Sequence, residues 1–145
     1  MCFMLKTKDD HPPVDWQALA ELIERGGLSA RDHIILQKAY QNSQFAWFGY
    51  VDGKLMATAH AISDLTYSSY LSDVVVDPHY QGRGYGRQLM QTILDTLAPL
   101  GKVVIYSMPD KIEFYQNLQF HRLNSAMVYG PDNIIARLRQ GNFID

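Results

Sequence analysis

Leu71-Ser72-Asp73-Val74-Val75-Val76-Asp77-Pro78-His79-Tyr80-Gln81-Gly82-Arg83-Gly84-Tyr85-Gly86-Arg87-Gln88-Leu89-Met90 decides how the rest of the chain is read. The valine run has the character of a buried strand. Asp77-Pro78 stops it, because proline has no N–H for a ladder. Gly82, Gly84 and Gly86 follow, and then Leu89, Met90, Ile93, Leu94 and Leu97 mark one apolar face of a helix. A strand, a glycine turn and a helix start together make an anion site. First-turn amides lack partners inside the helix, the macrodipole is positive there, and glycines let a phosphate approach the backbone.

The kind of phosphate ligand can be narrowed. A nucleoside-triphosphate loop needs Gly-Lys-Ser/Thr before its helix, whereas Gly86 is followed by Arg87-Gln88. A dinucleotide fingerprint beginning at Gly82 and Gly84 needs glycine where Arg87 stands, and its ribose-binding acid is missing near Gly101-Lys102-Val103. What fits is Gln-x-x-Gly-x-Gly, read as Gln81-Gly82-Arg83-Gly84-Tyr85-Gly86. On these residues the chain resembles the GNAT superfamily of acyl-CoA-dependent N-acyltransferases, whose pyrophosphate loop has this form directly after a strand.

Composition agrees with one folded unit. The 145 residues are 47% apolar and 19% charged, which suits a single domain spanning 1–145. A net charge of −2 argues against a broad basic face, so neither nucleic acid nor membrane is expected as a partner. Cys2 is the only cysteine and reads as an incidental thiol, and no metal is expected. No run approaches membrane-spanning length and no signal-peptide pattern opens the chain, so a cytoplasmic location is the expectation.

Taken in order, Phe3 to Leu5 reads as a strand ended by Pro12-Pro13. A helix carries Trp16, Leu19, Ala20, Leu22 and Ile23, capped by Asp15 and stopped by Gly26-Gly27. A second helix starts near Ser29 and carries Ile34, Ile35, Leu36 and Ala39 toward Asn42. Phe45–Val51 and Leu55–Ile62 form a hairpin about Asp52-Gly53. After the central strand and helix come a strand at Val103–Tyr106, a short helix from an Asp110 cap to Leu118, and a strand over Phe120–Tyr129. This order resembles the GNAT architecture, an α/β (α+β) fold with a mixed, twisted, mostly antiparallel sheet flanked by helices. Met56-Ala57-Thr58-Ala59-His60-Ala61-Ile62-Ser63-Asp64 and Ser107-Met108-Pro109-Asp110-Lys111-Ile112-Glu113-Phe114-Tyr115 are similar to the small bacterial, arylalkylamine N-acetyltransferase-like branch. That branch has arginine where His60 stands and glycine where Gln119 stands.

The resemblance implies acetyl-CoA as co-substrate and a primary amine of a small molecule as acceptor, with a homodimer as the oligomer to test. Cofactor contacts fall on Val74, Val75, Val76, Gln81, Gly82, Arg83, Gly84, Tyr85, Gly86, Arg87 and Tyr115. The oxyanion donor is a backbone amide near Val75. Tyr115 stands where the family places a proton donor for the leaving thiolate. An alkyl ammonium, with a pKa of about 10.4, must lose a proton before it attacks. Asp73, on the strand face of Val75, and His60, on the neighbouring strand, are the candidate bases. Arg83 and Arg87 either screen the pyrophosphate or face solvent. Asp64 reads as a turn cap, and His11, His33, His79 and His121 as solvated or structural. Two other classes stay open: a CoA-binding module without turnover, and an acetyltransferase of protein N-termini or lysines.

Overall fold

The computed structural model describes residues 3–10 and 13–145. The readings of Cys2, His11 and Pro12 lie outside them. The chain is laid out as two compact units, Met1–Ile105 and Tyr106–Asp145.

The first unit is a five-stranded sheet in the order β1-β2-β3-β4-β5. Its strands are β1 (Phe3–Thr7), β2 (Phe45–Val51), β3 (Lys54–Ser63), β4 (Ser68–Val76) and β5 (Lys102–Val104). The first four pair antiparallel, and β5 joins β4 in parallel. Asp52 and Gly53 have φ of 51° and 77°, the left-handed pair that lets a two-residue turn follow the twist of β2 and β3.

Helices α1 (Trp16–Arg25) and α2 (His33–Gln41) cover one face. The Asp15 carboxylate accepts from Ala18 N–H at 3.1 Å, as its N-cap position requires. Leu19, Leu22 and Ile23 are fully buried in a core shared with Leu36, Tyr40, Phe48 and Val75. The start of α2 differs from expectation. Asp32 accepts from Ile34 N–H and Ile35 N–H at 2.9 and 3.1 Å, which fixes the first turn at His33. From that start the helical period turns Leu36 and Tyr40 inward and leaves Ile34 and Ile35 exposed at 66% and 70%. Tyr40 takes their place in the core. Its ring stacks on Phe48 and on His60, with centroids 5.7 and 4.2 Å apart, and its hydroxyl meets Thr58 Oγ1 at 2.8 Å.

Helix α3 (Tyr85–Leu97) starts on the opposite face and buries Tyr85, Leu89, Met90, Ile93 and Leu97. Tyr85 stacks on Phe3 of β1 at 4.7 Å.

The second unit holds α4 (Ile112–Gln116) and α5 (Asp132–Gln140). The expected strand over Phe120–Tyr129 is not formed. A turn in which Ala126 N–H approaches Leu123 O at 3.4 Å interrupts the extended run, and residues 121–129 are all exposed. Asp110 makes no cap; a 3-10 turn over Pro109–Lys111 leads into α4 instead. Helix α4 ends in a Schellman motif, with Phe120 N–H on Tyr115 O and Gln119 N–H on Gln116 O, both at 3.0 Å. Gln119 occupies its left-handed position at φ 72°.

Candidate active site

The glycine loop has the geometry that anion binding needs. Gly82 and Gly84 sit at φ 80° and 84°, and a Cβ on either would point into open space. Gly84 is the N-cap of α3 and supplies no side-chain acceptor. Gln88 N–H is the first to find an intrahelical carbonyl, Gly84 O at 3.0 Å, so the amides of Tyr85, Gly86 and Arg87 have none. Three amides and the positive end of the helix dipole face a space cleared of Cβ atoms. These features fit a diphosphate. Gln81 Nε2 donates to Val76 O at 3.0 Å and ties the loop to the end of β4. Tyr85 offers only its amide, since its ring is packed on Phe3. Arg83 lies over the Tyr80 ring at 5.5 Å, and Arg87 is exposed on the first turn of α3.

Strand β4 brings an open edge up to that loop. Strand β5 pairs with it only at Ser68, Ser69 and Tyr70. From Leu71 to Val76 no strand of the described residues pairs on that side. Asp77 N–H donates to Met56 O at 2.7 Å, toward β3. Alternation then turns the Val75 amide toward β3 as well, opposite Thr58, and leaves the Val74 and Val76 amides on the open edge. The amides near Val75 that face the open edge are therefore those of Val74 and Val76.

Between Val75 and Ser72 the register against β3 slips, because Thr58 faces Val75 while His60 faces Ser72. The extra residue on β4 makes a bulge, with Asp73 at φ 53°. The bulge keeps Asp73 on the face of Val75, under α1 and α2, and brings Ser72 to the same face. Leu71 falls on the other.

Asp73 is the centre of a polar cluster. Arg31 Nη2 and Nη1 donate to its two oxygens at 2.8 and 3.0 Å, and His60 Nε2 lies 2.8 Å from Oδ2. Burial disfavours the charged carboxylate, but the bonds from His60 and Arg31 and the Arg31 charge outweigh it, holding Asp73 down at about 2. His60 is 6% exposed. Its Nδ1 lies 2.8 Å from Ser43 Oγ, and its Nε2 also meets Ser72 Oγ at 3.1 Å.

Tyr115, in the second unit, is buried on α4 with its ring edge-on to Phe114 and Phe120, centroids 5.1 and 5.6 Å away. Burial pushes its phenol up to about 12, so it keeps its proton throughout the neutral range. Asp64 closes the β3–β4 turn, accepting from Thr66, Tyr67 and Ser68 N–H, which lower its pKa.

Arg31, Ser43 and Ser72 escaped the sequence reading. Arg31 belongs to a polar connection and carries no periodic signal. Ser72 is brought in by a bulge that strict alternation conceals.

A glycine cradle at a helix start, beside a strand with one open edge, fits an extended diphosphate-bearing ligand in an α/β fold. The family model described as Acetyltransferase (GNAT) family matches residues 14–120, and the chain belongs to that family. Serotonin N-acetyltransferase 2, chloroplastic, from Oryza sativa subsp. japonica is 31% identical over 113 residues, which is 74% of this chain and 56% of that protein. Histone acetyltransferase TAP1 from Glycine max is 36% identical over 69 residues, 46% of this chain and 30% of that one. The chain thus spans about a third to a half of the length of these curated relatives. In fold it is similar to a probable acetyltransferase from Staphylococcus aureus, with TM-score 0.77 and 21% identity, covering 88% of this chain and 99% of that one. A GNAT-family protein from Xanthomonas campestris gives TM-score 0.73 and 24% identity, covering 88% and 94%.

Proposed function

We propose that the protein transfers the acetyl group of acetyl-CoA to a primary amine of a small molecule by direct attack. The observation that carries this reading is the open edge of β4, which ends one 3-10 turn (Pro78–Tyr80) before the Gly82–Gly84 cradle. Acetyl-CoA supplies an activated acyl thioester. The amides of Tyr85, Gly86 and Arg87 hold its diphosphate. Val76 and Val74 offer N–H groups along the open edge, and Val74, farther from the phosphates, donates to the acetyl oxygen as negative charge develops there.

The amine nitrogen attacks the carbonyl carbon, the C–S bond breaks, the thiolate gains a proton and the ammonium loses one. Tyr115 is the proton donor, a role that rests on its sequence position and suits a phenol kept protonated by burial. Asp73 and His60 act as one unit on the amine side. A carboxylate held at about 2 is a weak base, so His60 takes the proton, and Asp73, which accepts from its Nε2–H, balances the imidazolium charge.

The relatives named for serotonin and for histone supply the test panel. Acetyl-CoA should raise the melting temperature by mass action while NADH does not. Thiol release should then be followed with serotonin, tyramine, spermidine and a lysine peptide. Equal stabilisation by NADH overturns the CoA assignment, and faster turnover of the peptide than of every small amine reassigns the acceptor to protein.

A further inference from the structure

The connection between α1 and α2 touches β4 at three points, in reverse order of sequence. Arg25, the last residue of α1, donates from Nη2 and Nε to Asp77 Oδ2 at 3.0 and 3.2 Å. Gly26 lies against Val75, where a Cβ would overlap Val75 Cγ1. Arg31, just before the Asp32 cap of α2, grips Asp73 through two bonds. The connection is therefore a strap laid antiparallel across Asp73–Val75–Asp77.

Gly26 has φ −73°, an ordinary right-handed value that any residue adopts. Only the clearance to Val75 makes glycine necessary there, so the strap is seated as close to β4 as backbone can come. Asp77 is completely buried, and its other oxygen accepts from His79 N–H at 2.9 Å, at the entrance to the glycine loop. The two carboxylates bracket Val74 and Val76, the residues whose amides face the open edge. Arg25 holds the phosphate end of this segment and Arg31 holds the bulged end.

We propose that Arg25 and Arg31 are positioning residues for acetyl transfer: their ion pairs with Asp77 and Asp73 set the placement of the Val74 and Val76 amides, Arg25 for CoA binding and Arg31 for the reacting acetyl group. The proposal rests on the reading given under Proposed function. Its physical basis is the steep dependence of rate on alignment, since a misplacement of about 1 Å can cost on the order of 10²-fold. A strand edge with no neighbour to hold it depends on what grips it from its face.

The test compares Arg25→Ala and Arg31→Ala, using CoA affinity by calorimetry and kcat and KM on the fastest amine of the panel, per molecule of folded enzyme. Arg25→Ala should weaken CoA binding about 10-fold. Arg31→Ala should keep CoA affinity within about twofold and lower kcat about 10-fold or more. Arg31→Lys keeps the charge, loses the fork, and should fall between wild type and alanine. Should an alanine variant not fold, the corresponding lysine variant carries the comparison. Variants that lose only thermal stability, that show one common pattern, or that fail to fold as both alanine and lysine assign the pairs to stability alone and overturn the proposal. Wild-type enzyme that binds no CoA overturns the functional reading instead, whatever the arginine variants do.

Discussion

Arg31 and Asp73 meet fork to fork, with N···O distances of 2.8 and 3.0 Å, at the one residue of β4 whose φ is positive. The pair joins a polar connection to a bulged strand 42 residues further along the chain. Asp73 ionises at about 2 in the folded protein, against an ordinary 3.8. Because the folded value is depressed, the associated stability is present above about 4 and is lost as pH falls toward 2. It amounts to about 2 kcal/mol at one unit per 1.36 kcal/mol. Urea unfolding from pH 6 to pH 2.5 should therefore lose about 1.5 kcal/mol more in wild type than in Asp73→Asn, the remainder going only at still lower pH. Parallel curves for the two proteins would remove Asp73 from the acid response.

Gly84→Ala tests the cradle. The new methyl group sits at φ 84° and points into open space, so it strains the backbone by about 1 kcal/mol without striking protein atoms. CoA affinity should fall at least 10-fold, because that space is where a diphosphate reaches the amides. Gly53→Ala is the matched control, with φ 77° and equally open surroundings in the hairpin turn. It should share the strain and keep the affinity. Equal affinity losses in both variants would mean that strain alone accounts for the effect.

For Tyr115 the decisive measurement is the alkaline side of the rate profile. Tyr115→Phe should leave CoA affinity nearly unchanged and reduce turnover by about 10²-fold. With the phenol pushed up to about 12, wild-type activity should show no decline from this group below about pH 11. A limb near 10 that persists in the phenylalanine variant belongs to another residue, and unchanged turnover in that variant removes Tyr115 as the donor.

Gln119 offers a gain. It holds the left-handed position of the Schellman motif that closes α4, where glycine is the usual occupant. Gln119→Gly should stabilise the protein by about 1 kcal/mol, which corresponds to about 3 °C in Tm for a chain of this size. No gain in a thermal melt would show that the glutamine side chain compensates the strain.

These positions also mark how far the sequence could be read. The glycine loop, α3 and the β2–β3 hairpin were legible because their signals are local: positive φ at Gly82, Gly84 and Gly53, and an apolar period from Leu89 to Leu97. The Arg31–Asp73 pair was not, because nothing local announces a contact across 42 residues. The bulge at Asp73 breaks the alternation on which face assignments depend, and so hid Ser72. The expected strand over Phe120–Tyr129 failed for the opposite reason. Its apolar residues were counted, but a turn at Leu123–Ala126 and the lack of a pairing neighbour outweigh them. Ile34 and Ile35 look like core in a list of hydrophobic residues, yet the Asp32 cap turns them outward.

The early departure of β5 from β4 gives the ligand a second task. An unpaired strand edge is a standing template for another chain, and folded proteins normally blunt it with charge, proline or a covering element. Here the Val74 and Val76 amides keep that template available next to the phosphate cradle. The pantetheine arm of CoA carries amide groups of its own, and on the proposed reading these pair with the edge much as an added peptide strand would. On the proposed reading the ligand covers the edge that β5 leaves open. Light scattering during storage should fall as CoA is added, in step with occupancy of the site.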